Sequence, residues 1–182
     1  MATPATSLRY ADVEQIGTGS LSRSARLVAA TLRVVLGWTF LWAFLDKLFG
    51  LGYATPGDRA WLNGGSTTRG FLENSAAGPF QGVYTNIAGD GWADWLFKLG
   101  LLGIGIALTL GIAMRIAAIS AAVLYVLMWT VALPPVNNPI VDEHLIGALA
   151  SLLVAFVGAG HWFGLGDWWD RLSIVRRYPV LR

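Results

Sequence analysis

The sequence contains no cysteine and only two histidines among its 182 residues. The lack of cysteine excludes disulfide bonds, iron–sulfur clusters and thiolate zinc sites. Charged residues make up 13% of the chain, against roughly 25% in an ordinary soluble domain. Thirteen basic and eleven acidic residues leave a net charge of +2, which argues against nucleic-acid binding through bulk charge. Hydrophobic residues form 55% of the chain, and this composition points to a membrane protein.

Four apolar stretches are long enough to cross a bilayer, for which a helix needs about 20 mostly apolar residues. They cover residues 27–49, 95–114, 116–133 and 139–163. Pro134 and Pro135 end the third stretch, and Asn138 followed by Pro139 is typical of a helix N-cap and its first residue. The sequence therefore predicts an all-α fold, an integral membrane four-helix bundle with a long extracellular loop between helices 1 and 2.

Basic residues are unevenly divided between the two ends of the predicted spans. Four lie on the loop side, and nine lie on the side of both termini: Arg9, Arg23, Arg26, Arg33, Arg115, Arg171, Arg176, Arg177 and Arg182. The positive-inside rule then predicts a multi-pass protein of the cell membrane with both termini cytoplasmic. We expect residues 1–24 to be cytoplasmic and largely disordered, residues 25–165 to form the membrane domain, and residues 166–182 to form a basic cytoplasmic segment.

Small residues recur every four positions in two of the spans. In the second span they are Gly103, Ala107 and Gly111, and in the fourth they are Gly147, Ser151, Ala155 and Ala159. Such stripes let helix backbones approach closely, so we interpret both as packing surfaces.

The two histidines do not fit a haem site. His144 and His161 are 17 residues apart on one predicted helix. At 1.5 Å per residue they lie about 25 Å apart, too far to bracket one haem. We therefore predict no haem, no iron–sulfur cluster and no metal.

Charged residues gather at the outer ends of three predicted spans. They are Asp46, Lys47, Asp94, Lys98, Asp142, Glu143 and His144. Ionisable groups near hydrocarbon are costly unless they are paired or face a cavity, so their convergence indicates a candidate functional site. For Asp94 and Asp142 we favour the simpler interpretation of solvated interface charges.

Glu143 and Lys47 are the strongest candidates in this set. Glu143 precedes Gly147 by four residues, which predicts that it faces the bundle interior. Lys47 shares a helix face with Arg33, Phe40 and Phe44. Such a face could pair with acidic groups on neighbouring helices, or it could hold the polar head of a membrane-soluble molecule, with Arg33, Phe40 and Phe44 as binding residues.

The segment between the first two spans is far longer than the usual connection of 4–6 residues. It runs over residues 50–91 and alternates aromatic residues with glycines and hydroxyl groups. This composition suits a loop that lies on the membrane surface and covers the outer end of the bundle. Arg69 is its strongest candidate for contacting an anion.

Several short motifs occur together in a set order. They are Gly37-Trp38, Asp46-Lys47, Ala60-Trp61-Leu62-Asn63-Gly64-Gly65-Ser66, Arg69-Gly70-Phe71-Leu72, Gly78-Pro79-Phe80, Asn137-Asn138-Pro139 and Asp142-Glu143-His144. This combination resembles the DoxX/DoxD family over nearly all of residues 25–165. The resemblance implies a small four-span membrane protein similar to the DoxD subunit of thiosulfate:quinone oxidoreductase. It also implies oxidation of thiosulfate to tetrathionate outside the membrane, transfer of electrons to quinone, and a DoxA-like partner subunit.

Two functions remain open at this point. In the first, a quinone-linked redox subunit holds an oxyanion such as thiosulfate near Lys47, Arg69, Lys98 and His144, with Asp46 beside them, while Glu143 or His144 exchanges protons with the quinone. In the second, the chain is a non-catalytic membrane anchor or accessory subunit of a larger respiratory or redox complex, and its charges are structural. A solute transporter is disfavoured because the sequence has no inverted repeat or broken helix pair. The partners expected are membrane lipid, quinone and a second subunit, with no nucleic acid.

Overall fold

The computed structural model describes residues 21–182 as a chain of helices and turns. The helices are α1 (Arg23–Phe49), α2 (Arg69–Ser75), α3 (Gln81–Asn86), α4 (Gly91–Leu110), α5 (Met114–Val131), α6 (Glu143–Phe156), α7 (Gly166–Trp169) and α8 (Ser173–Arg177). Short 3-10 turns lie at Gly57–Arg59, Trp61–Asn63, Gly78–Phe80, Ala159–His161 and Pro179–Leu181. Residues 21–182 form no strand, which confirms the all-α prediction for this part of the chain.

Helix α1 begins within the segment for which we predicted disorder. Most of that segment lies outside the described residues, but Ser22 is the N-cap of α1 and its side chain accepts a hydrogen bond from the backbone N–H of Ala25 at 3.2 Å. A serine in this position satisfies one of the free N–H groups of the first helical turn.

Three helices are long and apolar enough to cross a membrane, namely α1, α4 and α5. They correspond to the first three predicted spans, so the membrane character of the chain is supported by helix length as well as by composition. A short turn joins α4 to α5, and Gly111 ends α4 in the left-handed conformation, with φ of 75°. Glycine adopts this conformation without steric cost.

The fourth apolar stretch is not one continuous helix, which corrects the prediction for residues 139–163. Asn138 does not cap the helix, because its side chain accepts the backbone N–H groups of Ile140 and Val141 and closes a turn. Asp142 is the N-cap instead. Helix α6 has 14 residues, and left-handed Gly158 follows its end. At about 1.5 Å per residue, 14 residues span less than the roughly 30 Å of bilayer hydrocarbon.

The long helices pack in pairs, α1 chiefly on α4 and α5 chiefly on α6. Gly37 lies against Thr109, and Gly105 lies against Leu41, so α1 and α4 run antiparallel. A Cβ at Gly105 would come within 2.8 Å of the backbone nitrogen of Leu41. This glycine therefore sets how closely the two helices approach each other.

The structure confirms close packing for one of the two predicted small-residue stripes and corrects the other. In α6, Gly147 and Ser151 are buried, and a Cβ at Gly147 would come within 2.7 Å of the Tyr125 ring, which confirms close packing there. In α4 the predicted stripe is wrong at Gly103, which is exposed and has no other atom within 4 Å of a Cβ. The packing surface of α4 passes through Gly105 instead.

The main hydrophobic core lies between the long helices, and a smaller cluster lies under the segment that links α1 to α4. Buried core residues include Leu36, Phe40, Leu101, Leu108 and Val154. In the smaller cluster Leu72 of α2 packs with Ala76 and with Val131 at the end of α5. The linking segment is thus attached to the ends of the long helices by apolar contacts.

Candidate functional site

A large apolar cavity lies between α4 and α5, next to α2 and α3. Its volume is about 580 Å³. Aromatic residues line the end near the linking segment, namely Phe71, Tyr84, Trp92 and Phe97. Aliphatic residues line the other end, including Ile104, Ile119, Val123 and Leu124.

The cavity is elongated along α4. The lining residues on this helix run from Trp92 to Ile104, which corresponds to about 18 Å of helix at 1.5 Å per residue. Several lining side chains are also exposed on the outside of the helix pair, among them Leu96, Leu99 and Ile119. In a bilayer this opening would face acyl chains, so the cavity suits a molecule with a flat ring and a long apolar tail.

Tyr84 provides the phenolic hydroxyl of the aromatic end. Its oxygen lies 2.5 Å from the hydroxyl oxygen of Thr130 and 3.4 Å from the carbonyl oxygen of Leu127. This contact ties α3 to the end of α5. Sequence reasoning missed Tyr84, although a tyrosine within an otherwise small and polar stretch was a signal that could have found it.

Asp94 connects the linking segment to α4. One of its carboxylate oxygens accepts hydrogen bonds from the hydroxyls of Ser66, Thr67 and Thr68 at 2.9, 3.0 and 2.7 Å, and from the backbone N–H of Thr68 at 2.8 Å. Asp94 is buried, so the interpretation of this residue as a solvated surface charge is wrong. Its role is to hold the linking segment in place.

Lys98 lies one turn beyond Asp94 and is buried, with 3% of its surface exposed. Its ammonium nitrogen lies 3.4 Å from the ring centroid of Trp61 and 4.6 Å from that of Trp95. A cation over aromatic faces in this geometry is stabilised by the ring quadrupoles. The ammonium is therefore occupied by protein contacts, which is not the open position that we expected of a substrate-binding residue.

Asp46 and Lys47 are adjacent in sequence but have different surroundings. Asp46 is buried, and its two carboxylate oxygens accept the backbone N–H groups of Tyr53 and Ala54 at 3.3 and 3.0 Å. It therefore orders the first turn after α1. Lys47 is partly buried, and its ammonium nitrogen lies 6.0 Å from the ring centroid of Phe97, a residue that also lines the apolar cavity.

Arg33 has no solvent-exposed surface. Its Nη2 donates to the carbonyl oxygen of Phe163 at 3.1 Å, whereas Nε and Nη1 are buried without a partner. A Cβ at Gly111 would overlap Nη1, so the guanidinium lies against the backbone that ends α4. A cation is favoured at a helix C-terminus, where the carbonyl dipoles point. This placement differs from the predicted cofactor-binding role and makes Arg33 a structural residue.

The two phenylalanines predicted to accompany Arg33 lie in the protein core. Phe40 is buried, and its ring centroid is 4.9 Å from that of Tyr125. Phe44 is partly buried and packs against the same core. Neither residue lines the apolar cavity.

Asp142 and His144 form a hydrogen-bonded pair at the start of α6. The second carboxylate oxygen of Asp142 lies 2.7 Å from Nδ1 of His144, and the first accepts the backbone N–H groups of His144 and Leu145. The imidazole ring lies 6.3 Å from the ring of Tyr125, whose hydroxyl is 3.4 Å from that of Thr39. Asp142 is thus an N-cap and not a solvated charge.

Glu143 does not face the interior. It is exposed at the first position of α6, which corrects the inward orientation that its spacing from Gly147 had predicted. The side-chain ligand atoms of Asp142, Glu143 and His144 come within 4.8 Å of one another. Within residues 21–182 no ion pair joins Glu143 to Lys47, and neither residue lines the apolar cavity, so a site shared by these two residues stays a prediction.

Arg69 lines a second, polar cavity of about 460 Å³ in the linking segment. Arg59, Asp58, Glu73, Asn63 and Ser66 also line it. Arg69 is exposed, and its Nε lies 3.9 Å from a carboxylate oxygen of Glu73. Of the predicted anion-binding residues, Arg69 is the one whose guanidinium is accessible in a polar cavity.

The comparisons with known proteins leave the family resemblance as a prediction. No protein-family model matches this chain, and no curated protein and no solved structure matches it either.

Proposed function

We propose that this chain is a quinone-linked redox subunit of a membrane, in which the apolar cavity between α4 and α5 binds the quinone. In this proposal all four apolar segments cross or enter the bilayer, both termini are cytoplasmic, and the linking segment of residues 50–90 is extracellular. The observation that carries the proposal is the cavity itself, which runs about 18 Å along α4 from an aromatic end lined by Tyr84 to an aliphatic end.

The shape of the cavity matches the two parts of a membrane quinone. The flat ring would stack among Phe71, Trp92 and Phe97. Since the Thr130 hydroxyl donates to Leu127 and the Tyr84 hydroxyl to Thr130, the Tyr84 oxygen would accept a hydrogen bond from a hydroxyl of the reduced ring. The isoprenoid tail would follow the aliphatic residues and leave between exposed side chains toward the lipid. A site of a few hundred Å³ with mainly apolar lining and few polar groups is typical of small-molecule binding.

The electron donor in this proposal is an inorganic sulfur compound such as thiosulfate, as the family resemblance implies. Two thiosulfate ions lose one electron each and join through a new sulfur–sulfur bond as tetrathionate. The quinone takes up these two electrons and two protons and becomes the quinol. Arg69 and Arg59 in the polar cavity are the side chains best placed to hold the anion.

His144 and Glu143 stay candidates for proton transfer, but at some distance from the quinone ring. Tyr125, which contacts His144, projects from the side of α5 that faces α1 and α6, whereas Leu124 lines the apolar cavity. In this proposal Tyr84, and not His144, therefore forms the hydrogen bond with the quinone ring.

Filling the cavity tests the proposal. Gly100 lines the cavity, and a Cβ there would meet only a Leu124 methyl group at 3.9 Å. Gly100→Phe is expected to reduce the affinity of the detergent-purified chain for a menaquinone or ubiquinone analogue at least tenfold, because the ring would occupy the ligand volume. Binding is measured by titration with the analogue and quenching of tryptophan fluorescence.

Gly82→Phe is the matched control for this experiment. Gly82 is exposed on α3, does not line the cavity and has no other atom within 4 Å of a Cβ, so this variant is expected to bind the analogue as the unaltered chain does. Equal affinity in the Gly100 variant, or no binding by the unaltered chain, contradicts the quinone site.

A second candidate function is a non-catalytic membrane anchor or accessory subunit. It is favoured by Asp46, Asp94 and Lys98, whose charged groups are occupied by contacts within the protein. Purified chain that binds the quinone analogue but does not reduce it with thiosulfate, alone or with its co-purifying partner, would support this alternative.

A further inference from the structure

Arginines are concentrated at the end of the molecule opposite the linking segment. Arg26 lies at the start of α1, and its guanidinium carbon is 5.7 Å from the ring centroid of Trp162, which follows α6. Arg115 lies at the start of α5, and its backbone N–H donates to the carbonyl oxygen of Arg182 at 2.9 Å. These contacts bring the beginning of α1, the α4–α5 turn and the C-terminal segment to one end.

The C-terminal segment folds back across this end. Trp169 donates its indole N–H to the carbonyl oxygen of Leu181 at 2.6 Å, and buried Val175 anchors α8. The segment is therefore fixed against the helix ends, and its side chains have defined positions.

The charge of this end is strongly positive. Among residues 21–182 it carries seven exposed or partly exposed arginines: Arg23, Arg26, Arg115, Arg171, Arg176, Arg177 and Arg182. The acidic residues of the same segment are Asp167 and Asp170, and both lie near His161, at 2.9 and 3.8 Å. Within residues 21–182 no acidic side chain forms an ion pair with any of these seven arginines.

Apolar and aromatic side chains are exposed among these arginines. Trp168 is 55% exposed, Ile174 58%, Tyr178 50% and Val180 64%. The guanidinium carbon of Arg177 lies 5.6 Å from the ring centroid of Tyr178. Guanidinium groups beside rings that are apolar at one end and polar at the other are the combination that a membrane interface favours.

We infer that this surface, formed by the arginines listed above with Trp168, Ile174, Tyr178 and Val180, binds the phosphate headgroups of anionic phospholipids in the adjoining leaflet. Guanidinium groups donate paired hydrogen bonds to phosphate oxygens, and the exposed apolar side chains enter the acyl boundary. The inference requires the chain to lie in a membrane, but it is independent of the quinone site at the opposite end.

Energy transfer to a labelled lipid tests this inference. The purified chain in mixed micelles of neutral detergent is titrated with dansyl-labelled phosphatidylglycerol, and energy transfer from tryptophan is recorded. Unlabelled phosphatidylglycerol is expected to compete at least tenfold better than phosphatidylcholine, and inorganic phosphate is expected to compete weakly. The preference is expected to fall as salt is added, because exposed charges are screened.

The variant Arg176→Gln with Arg177→Gln is expected to lose about tenfold in apparent affinity for phosphatidylglycerol, since each basic residue near an anionic surface contributes several-fold. Both side chains are exposed, so helix content by circular dichroism is expected to be unchanged. The control, Gln81→Ala with Asn86→Ala, changes two exposed polar residues at the opposite end that line neither cavity, and it should bind as the unaltered chain does.

Three results would overturn the inference. The first is equal competition by phosphatidylcholine and phosphatidylglycerol. The second is equal loss of affinity in the control variant. The third is full competition by inorganic phosphate, which would identify a site for free anions. If the Arg176 and Arg177 variant fails to fold, Arg171→Gln provides the same comparison at another exposed position of this surface.

Discussion

Asp142 has two structural partners at the start of α6, the backbone of the first helical turn and the imidazole of His144. Burial alone would raise the pKa of Asp142. The hydrogen bond from the His144 side chain, the backbone N–H groups of Leu145 and His144, and the nearby imidazole charge outweigh burial and hold the pKa below its ordinary value. Asp142 therefore stabilises the fold when it is ionised.

Asp142→Ala is expected to reduce the free energy of unfolding by about 0.5–2 kcal/mol at neutral pH, because the N-cap is lost. A depressed carboxyl pKa gives stability that is fully present above the unfolded pKa and disappears as the pH falls through the folded one. The difference between the variant and the unaltered chain should therefore shrink in acid. Thermal unfolding in detergent, followed by circular dichroism at several pH values, measures both effects.

Glu143→Gln serves as the comparison for Asp142, since Glu143 is exposed and does not cap the helix. We expect it to change stability little. A Glu143 variant that is as unstable as the Asp142 variant would show that general charge at this helix start, and not the cap, provides the stabilisation.

Individual residue roles were the part of the site that the sequence predicted least well. The sequence identified Asp94 and Lys98 as unusual in an apolar helix, and both have unusual surroundings. The sequence could not identify the partners of Asp94, because Ser66, Thr67 and Thr68 are more than 25 residues away along the chain. Their three hydroxyl groups reach one carboxylate oxygen only after the chain folds back. The spacing rule for Glu143 failed because it assumed a helix that continues before residue 143.

The linking segment of residues 50–90 is an ordered element with several attachments to the long helices. Asp94 holds its middle part through four hydrogen bonds to one carboxylate oxygen, and the Trp61 ring lies over Lys98. Leu72 adds an apolar contact with the end of α5. The carboxylate of Asp94 is the contact on which most of these donors converge.

Asp94→Ala is expected to release this segment, because leaving a buried donor without its acceptor costs about 1–3 kcal/mol for each group. Trypsin cleavage at Arg59 and Arg69 should become at least tenfold faster, which gel electrophoresis and mass spectrometry of the fragments would measure. Asp90→Ala is the control, since Asp90 is exposed and its carboxylate accepts a hydrogen bond only from the neighbouring indole N–H of Trp92 among the side-chain donors described. Equal cleavage rates in the two variants would contradict the role assigned to Asp94.

Three long helices were predictable because continuous apolar runs determine both their position and their type. The boundaries of the fourth were not, because Asn138 and Asp142 both have side chains that can cap a helix. The structure uses the Asn138 side chain to close a turn and the Asp142 side chain to start α6. Choosing between two such residues depends on contacts of the preceding turn, such as the bond from the Trp129 indole to the carbonyl oxygen of Ile140.

At the scale of the whole molecule, the short α6 raises the question of whether the fourth segment crosses the bilayer. The native chain has no cysteine, so single cysteines give an unambiguous label. Asn137→Cys precedes α6 and Ser173→Cys follows it, and both positions are exposed. A membrane-impermeant maleimide added to intact cells is expected to label the first position, and to label the second only after the cells are permeabilised.

Labelling of both positions without permeabilisation would mean that α6 enters and leaves the membrane on the same side. Labelling of Ser173→Cys alone would reverse the proposed orientation. Either result would change the topology in the proposal, while leaving the three apolar helices and the cavity between α4 and α5 as they are.

The Tyr84–Thr130 contact has one further consequence. Because α3 is bonded to α5 and Asp94 fixes the preceding stretch to α4, the linking segment bridges the two helices that form the walls of the apolar cavity. The linking segment therefore helps to set the gap between those walls, together with the direct packing of α4 on α5. Descendants of this protein could acquire preference for wider or narrower hydrophobic ligands by altering that segment alone, with every bilayer-embedded residue unchanged.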